Sequence, residues 1–488
     1  MERFLSGEPV TACPPSPFYR FGKFAKRNRT ALVTSGIVAV SLVLGAVGVA
    51  YQAVRASRAE ARANIAAFEF LIENVLGSNN SQTSEGYTPD PNLKLLILLK
   101  NANDRVDEHF AGEPELRAKM KATLASLFNN AGQYEDAARL YREYLEYLKA
   151  NKGPNDPDTI RVMHHLVRIH IDESRLIDAE RLGKEALSSS QLYLGKEHEV
   201  TLLLLNDLAM LHHKLGANQK AIDSYRQVLE VRQRLLGESH PDTLATMSNL
   251  AGVYDSNDRF DEAQELHERV LESYKATLSP HDARLAAALH NLGKYYLMRG
   301  RRNESKEQFE KATTLLQNSL QIYVDNRGDD HTNTLESKFS LAQVHLELQR
   351  LDQAQPLLED LVERLERSRE PGDWMTLNAM NMLGWTYMHH TQFAEAEYLL
   401  TNAYEQLMQL DPNAQLTIQV MGNLAIVRFR MGKIDEAVSL DEKTLKLSKD
   451  VLGPDHPETL AAKARLGLAY QRLGDEVGAR LFIEAPIE

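Results

Sequence analysis

The sequence has a single cysteine, Cys13, so neither a disulfide framework nor a thiolate zinc cage can hold it together. Aromatic residues make up only 7%, too thin a supply of β-formers for a large sheet protein, while Leu and Ala suit stacked helices. Catalytic signatures are missing as well. No Gly-x-Ser-x-Gly elbow, Gly-x-x-x-x-Gly-Lys phosphate loop or His-Glu-x-x-His metal motif occurs. The sequence therefore assigns no catalytic residue, no metal ligand and no cofactor, and enzyme chemistry is not expected. An excess of positive charge is absent from the body of the chain. The net charge is −12, although residues 1–29 carry Arg3, Arg20, Lys23, Lys26, Arg27 and Arg29 against Glu2 and Glu8. An acidic body argues against nucleic acid as a partner, because phosphate binding needs clustered cations.

Long uncharged runs are rare too, and the one present stands out. From Thr30 to Val54 no charged residue occurs across 25 positions. As a helix this run is about 37 Å long at roughly 1.5 Å per residue, enough for the roughly 30 Å hydrocarbon core of a bilayer. The pattern predicts a single transmembrane helix over 30–54 behind a basic segment at 1–29. Five cations, Arg20, Lys23, Lys26, Arg27 and Arg29, lie just before it, and Arg55, Arg58 and Arg62, offset by Glu60, follow. The positive-inside bias places the N-terminus in the cytoplasm and the rest of the chain outside. The basic lead is too long, and the exit at residues 51–55 too bulky, for a cleaved signal peptide, so an uncleaved anchor is expected.

The rest is repetitive. A Leu followed by a small residue recurs at Leu124, Leu166, Leu208, Leu250, Leu292, Leu341, Leu383, Leu424 and Leu466. The spacings are 42 four times, then 49, 42, 41 and 42. Thirteen residues after each Leu stand Ala137, Ala179, Ala221, Ala263, Ser305, Ala354, Ala396, Ala437 and Ala479. A large residue one helical turn after the Leu recurs as His170, His212, Tyr254, Tyr296, His345, Tyr387 and Tyr470. Between repeats lie GPNDPDT (153–159), GKEHEVT (195–201), GESHPDT (237–243), GDDHTNT (328–334) and GPDHPET (453–459). These read as a Gly ending one helix, often a Pro opening the next, and an acid facing its dipole.

Each repeat is thus a helix A, a turn and a longer helix B, packed closely through the small residues. No repeat can bury its apolar face alone, so stacking must supply the core. The expected fold is all-α: a superhelical solenoid of about nine helix pairs, preceded by the transmembrane helix. The domains are a basic juxtamembrane segment (1–29), the span (30–54), a helical linker (55–112) with a polar loop at 78–92, and the array (113–488). The fifth repeat carries seven extra residues, expected near 316–327 as a longer helix B or a loop. The ninth is expected to end in a frayed cap or a truncation.

The combination Leu-small-x-x-Tyr, a later Glu-Ala and Gly-x-x-His-Pro between helices resembles the 42-residue tetratricopeptide repeat (TPR) of kinesin light chains. It is most faithful at 237–271 and 453–479 and covers roughly 113–488. The resemblance implies a protein or peptide ligand in a concave groove, met by helix-A residues two before, one before and two after the repeat Leu. Among these, His164, Arg168, Asn206, Asn249, His290, Asn291, Lys294, Gln343, Asn381, Trp385 and Asn423 are the candidate contacts. Asn249, Asn291 and Asn423 have the paired donor and acceptor that hold an extended backbone, or else bond within the stack. His164, His165 and His170 crowd one helix, but His170 occupies a site filled elsewhere by Tyr, which favours packing over metal. His198, His240, His331 and His456 recur in the inter-repeat turns, where a helix-entry role explains repetition that one active site cannot. The Met-rich stretch around Met375, Met380, Met382 and Met388 reads as a soft core.

Residues 3–29, the span and the AEARANIAAFEFLI stretch at 59–72 together resemble the juxtamembrane region of bacterial receptor-type serine/threonine protein kinases with C-terminal TPRs. The kinase motifs themselves do not occur, so the resemblance implies descent or truncation and transfers no activity. Two readings follow: a membrane-anchored scaffold or sensor, or the input array of a kinase whose catalytic domain would lie in frame upstream of Met1.

Overall fold

The computed structural model describes residues 91–369 and 372–474. The basic segment, the 30–54 span, the linker up to residue 90 and residues 475–488, on which the expected frayed cap or truncation of the ninth repeat falls, lie outside these. Eighteen α-helices and no strand occur among the described residues, and none of these helices is long and apolar enough to cross a membrane. The chain divides after Tyr193 into two compact units.

The first unit holds α1 (Pro91–His109), α2 (Pro114–Asn130), α3 (Tyr134–Asn151), α4 (Pro157–Asp172) and α5 (Leu176–Tyr193). Helix α1 packs on α2 and buries Leu99, Ala102 and Val106, so the described part of the expected linker extends the helical stack. The pairs α2/α3 and α4/α5 are the first two repeats.

The second unit contains the helix pairs of repeats three to eight. They are α6 (Glu199–Lys214) with α7 (Asn218–Leu236), α8 (Pro241–Asp255) with α9 (Phe260–Thr277), and α10 (Ala283–Asn303) with α11 (Lys306–Arg327). Then come α12 (Thr332–Glu347) with α13 (Leu351–Ser368), α14 (Trp374–His389) with α15 (Phe393–Leu410), and α16 (Gln415–Arg430) with α17 (Ile434–Val451). The first helix of the ninth repeat is α18 (Pro457–Leu473).

The inter-repeat turns are built as their sequence implies, with one addition. In GESHPDT, Gly237 takes φ 91°, a left-handed conformation that costs glycine nothing. His240 then caps α8, its Nδ1 accepting from the Asp242 amide at 3.2 Å. His198, His331 and His456 cap their helices in the same way, so these histidines are structural. The addition is the final Thr. Thr159, Thr201, Thr334 and Thr459 are fully buried and donate back to the carbonyl of the Gly six residues earlier, at 2.7–2.8 Å. Four of the five turns are thereby closed as rings that fix where the next helix starts; in GESHPDT the Thr243 hydroxyl is buried but has no hydrogen-bond partner among the described residues.

Helices A and B meet through the small residues. Ala221, Ala263, Ala354 and Ala396 are all 0% exposed. A Cβ placed on Gly293 would lie 2.7 Å from Leu316 Cγ, and one on Gly384 would lie 2.6 Å from Leu400 Cγ. The fifth repeat corrects one expectation. Ser305 precedes α11 as its N-cap, and the residue in the buried alanine register is Ala312, 0% exposed and 42 residues before Ala354. The extra residues therefore lie between Leu292 and Ala312, not at 316–327. They lengthen both arms of the hairpin: the left-handed turn residue falls at Glu304, twelve after the repeat Leu rather than eight as at Asp258. The added turns pack on each other, Leu297 and Phe309 being buried and Gly300 giving the Phe309 ring its place. Arg301 and Arg302 then reach Glu347 and Asp258 of the flanking repeats, each at 2.6 Å.

Candidate functional site

Within the second unit, helix A of one repeat touches helix A of the next: α6 meets α8, and α8 meets α10. Residues two and five after the repeat Leu lie on that shared face with the residue just before it. In α8 these are Gly252, Asp255 and Asn249, spaced i, i+3, i+6 along one side. Gly252 removes a side chain where α6 and α10 carry Met210 and Lys294, and a Cβ built there meets nothing within 4 Å. The result is a cleft of about 370 Å³. Met210 and His213 come from α6, Asn291, Lys294 and Met298 from α10, and Tyr225 and His267 from the B helices behind.

The cleft gathers Asn249, Asn291 and Lys294 from neighbouring repeats, as a shared ligand contact requires. Asn249 and Lys294 are exposed and Asn291 is half-buried. Neither amide has a hydrogen-bond partner among the described residues, and Lys294 forms no ion pair there. The cleft floor is polar. Asp255 is 8% exposed, its Oδ2 lies 2.9 Å from His267 Nε2, and its Oδ1 has no hydrogen-bond partner and no contact with solvent. His213 is held by Asn218 at 2.9 Å.

Other candidate contacts are used differently. His290 is 8% exposed and faces the stack, its Nδ1 lying 3.1 Å from Ser337 Oγ. A run of donors in one direction satisfies this interior: His290 Nδ1 to Ser337, Ser337 to Ser319 at 3.4 Å, and Ser319 to the Ala286 carbonyl at 2.8 Å. Burial, reinforced by Lys294 one turn away, pushes the His290 imidazole down to about 4. Asn381 is buried and accepts from Asn423 Nδ2 at 2.9 Å, so this pair bonds within the stack. Trp385 is half-buried with its ring 4.0 Å from that of His389. Asn206 and Gln343 are half-buried on α6 and α12. His164 and Arg168 belong to the first unit, where His164 lies against His165 and Arg168 pairs with Asp172 at 3.7 Å.

The large residues one turn after the repeat Leu pack inward and reach the preceding B helix. Tyr254 accepts from Arg226, and Tyr296, Tyr387 and Tyr470 donate to Glu268, Glu359 and Glu442, always 28 residues back. Burial and the Glu359 contact push the Tyr387 hydroxyl up to about 12. His170 and His345 take the same place and are buried, as packing requires, with burial the main cause of their lowered pKa values.

Two cleft residues escaped the sequence reading, Asp255 and His267 of its floor, whereas Gly252 stands at a groove position, two after Leu250, where the space it leaves is the new finding. A signal was present. Five residues after the repeat Leu stand Ile171, Leu297, Leu346, Met388 and Phe429 in five repeats and the uncharged Asn129 and Gln471 in the first and last, whereas repeats three and four have His213 and Asp255.

Comparison with known proteins supports the repeat assignment. The tetratricopeptide repeat family model matches residues 166–234, 200–276, 242–318, 305–367 and 416–484, more than half of the chain. The kinase-like N-terminal stretch lies outside these matches. No functionally curated protein matches the sequence. The repeats are similar to those of a putative kinesin light chain of Podosopora anserina with nearly identical TPR-like repeats, at 26% identity over 44% of this chain and 99% of that one, with a TM-score of 0.37. BtubC (BKLC) of P. vanneervenii is 20% identical over 49% of this chain and 94% of that one, with a TM-score of 0.41. The apo form of the quorum sensor NprR of B. thuringiensis shares the fold, with a TM-score of 0.51 and 16% identity over 80% of this chain and 99% of that one.

Proposed function

Because the chain belongs to the tetratricopeptide repeat family, we propose that it is a protein-binding scaffold or sensor that seizes an extended segment of a partner in the cleft of α6, α8 and α10. The observation that carries this reading is the convergence of two unpartnered amides, Asn249 and Asn291, with the unpaired Lys294 in one open cleft. They sit at equivalent positions of adjacent repeats, 42 residues apart. Adjacent helices lie about 10 Å apart, roughly three residues of extended chain. A peptide strand crossing both helices therefore presents a backbone amide and carbonyl to each Asn, which answers with its own donor and acceptor.

The test is the affinity of a peptide, selected on the full-length protein from a display library, for Asn249→Ala, Asn291→Ala and the double variant. Each substitution is expected to weaken binding by about 1–3 kcal/mol while leaving the thermal transition in place. Unchanged affinity in all three variants moves the binding site elsewhere. The acidic cleft between α13, α14 and α15, with Glu359, Tyr387 and Tyr398, is then the better candidate.

The 25 uncharged residues at 30–54 support a membrane anchor, and the five preceding cations support an N-terminus in the cytoplasm with the array outside. A reporter active only outside the cytoplasm, fused after Glu488, is expected to give signal. A stable but silent fusion refutes this topology.

A further inference from the structure

The floor of the cleft carries a charge that the fold itself leaves incompletely answered. Asp255 is 8% exposed, receives one hydrogen bond from His267, and keeps its Oδ1 without a hydrogen bond and shut from water. Burying a carboxylate in this way costs stability unless a positive group compensates it. The cost is avoidable, because other repeats fill the same position with Ile171, Leu297, Leu346, Met388 or Phe429. One turn back on α8, Gly252 leaves open space in which a Cβ meets nothing within 4 Å, a notch in a cleft that the flexible side chains of Met210 and Met298 also line. The two methionines and Asp255 thus line the same cleft as the open position at Gly252.

We infer that the notch at Gly252 receives one cationic side chain, Lys or Arg, of the bound segment, its aliphatic stem against Met210 and Met298 and its charge compensating Asp255. This rests on the reading of the cleft as the peptide site and adds to it the residue type the peptide must carry. A Lys or Arg stem suits methionine walls, because the charged head of such a side chain travels to the polar end while its methylenes stay on apolar surface. Lys294 opposes this preference only weakly. It is exposed at the rim, where solvent screens it, whereas Asp255 acts across a low-dielectric path. Direct contact with Oδ1 is not required, since compensation through the field of the pair is enough.

The experiment is selection of linear peptides from a randomised display library on the full-length protein, followed by affinity measurements with synthetic peptides. Selected peptides are expected to share a Lys or Arg at one aligned position. Replacing that cation by norleucine is expected to weaken binding at least about tenfold, the scale of a charge-assisted contact. In Asp255→Asn, which keeps the shape of the side chain, the two peptides are expected to bind alike. Gly252→Leu, which fills the notch from a helical position with open space around it, is expected to abolish the preference, and Gly252→Ala to weaken it while keeping the fold. Peptides that lose affinity in Asn249→Ala and Gly252→Leu but show no preference for a cation overturn this inference and leave the cleft reading standing. Peptides indifferent to both substitutions, or a selection that yields no binder, refute the cleft as the site and the inference with it.

Discussion

Acid should loosen the fifth and sixth repeats through one residue, His290. Its imidazole is shut among α10, α11 and α12 and held near 4, against an ordinary value of 6.5, chiefly by burial and then by Lys294. The unfolded chain therefore takes up a proton as pH falls through 6.5, while the folded chain refuses it until about 4. Stability is full above 6.5 and is lost progressively between 6.5 and about 4. At about 1.4 kcal/mol per pH unit the whole loss is about 3 kcal/mol, of which about 2 kcal/mol has gone by pH 5. The assay is urea unfolding of the full-length protein at about pH 7 and pH 5, compared with His290→Asn, whose amide can take the place of Nδ1 opposite Ser337. His170, His331 and His345, also held down mainly by burial, are common to both proteins and cancel in the difference. The variant starts lower and falls less, by about 2 kcal/mol, between the two pH values. Parallel pH profiles would show that His290 is hydrated or charged in the folded protein, contrary to the geometry.

Two further outcomes follow from the repeat geometry. Ala221→Leu, placed at a fully buried contact between α6 and α7, should overpack the hairpin and cost about 1–3 kcal/mol; an unchanged thermal transition would mean the register is misread. Thr391 turns the chain between α14 and α15 at φ 58°, where the equivalent residues Gly132, Gly216 and Gly432 are glycines. Thr391→Gly should stabilise by about 1 kcal/mol, and a lower urea midpoint for that variant would show that the turn is not strained by its β-branched residue.

The fold was legible because a repeat states its rules many times. Gly, Pro, His and acid at fixed places gave the turns, and the Leu-small pair gave the A/B contact. One rule was misapplied. Counting thirteen residues forward from Leu292 lands on Ser305, but counting back 42 from Ala354 lands on Ala312, the residue buried against helix A. An insertion at the tip of a hairpin lengthens both arms, so it shifts every position beyond the tip while leaving the repeat Leu untouched. Period alone cannot locate it. The apolar residues that pack the added turns, Leu297 and Phe309, could have done so. The basic segment and the span lie outside the described residues, so for them the sequence remains the sole argument.

The site was legible only in part, because helix-A position does not decide what an amide does. Asn249 and Asn423 both stand immediately before a repeat Leu, and each has an Asn two before the Leu of the preceding repeat, Asn206 and Asn381. Asn423 bonds Asn381 at 2.9 Å, whereas Asn249 stays open to the cleft. The separations differ: the two repeats that bond are joined by the 41-residue spacing, the two that do not by 42. Neighbours differ as well. Two residues after the Leu, α14 and α16 carry Trp385 and Ile426, while α8 carries Gly252. An amide beside large side chains gains from a partner in the stack, since burial without a hydrogen bond costs about 1–3 kcal/mol, whereas one beside a glycine notch keeps its water until a ligand replaces it. The glycine, more than the asparagine, thus marks where this array is open.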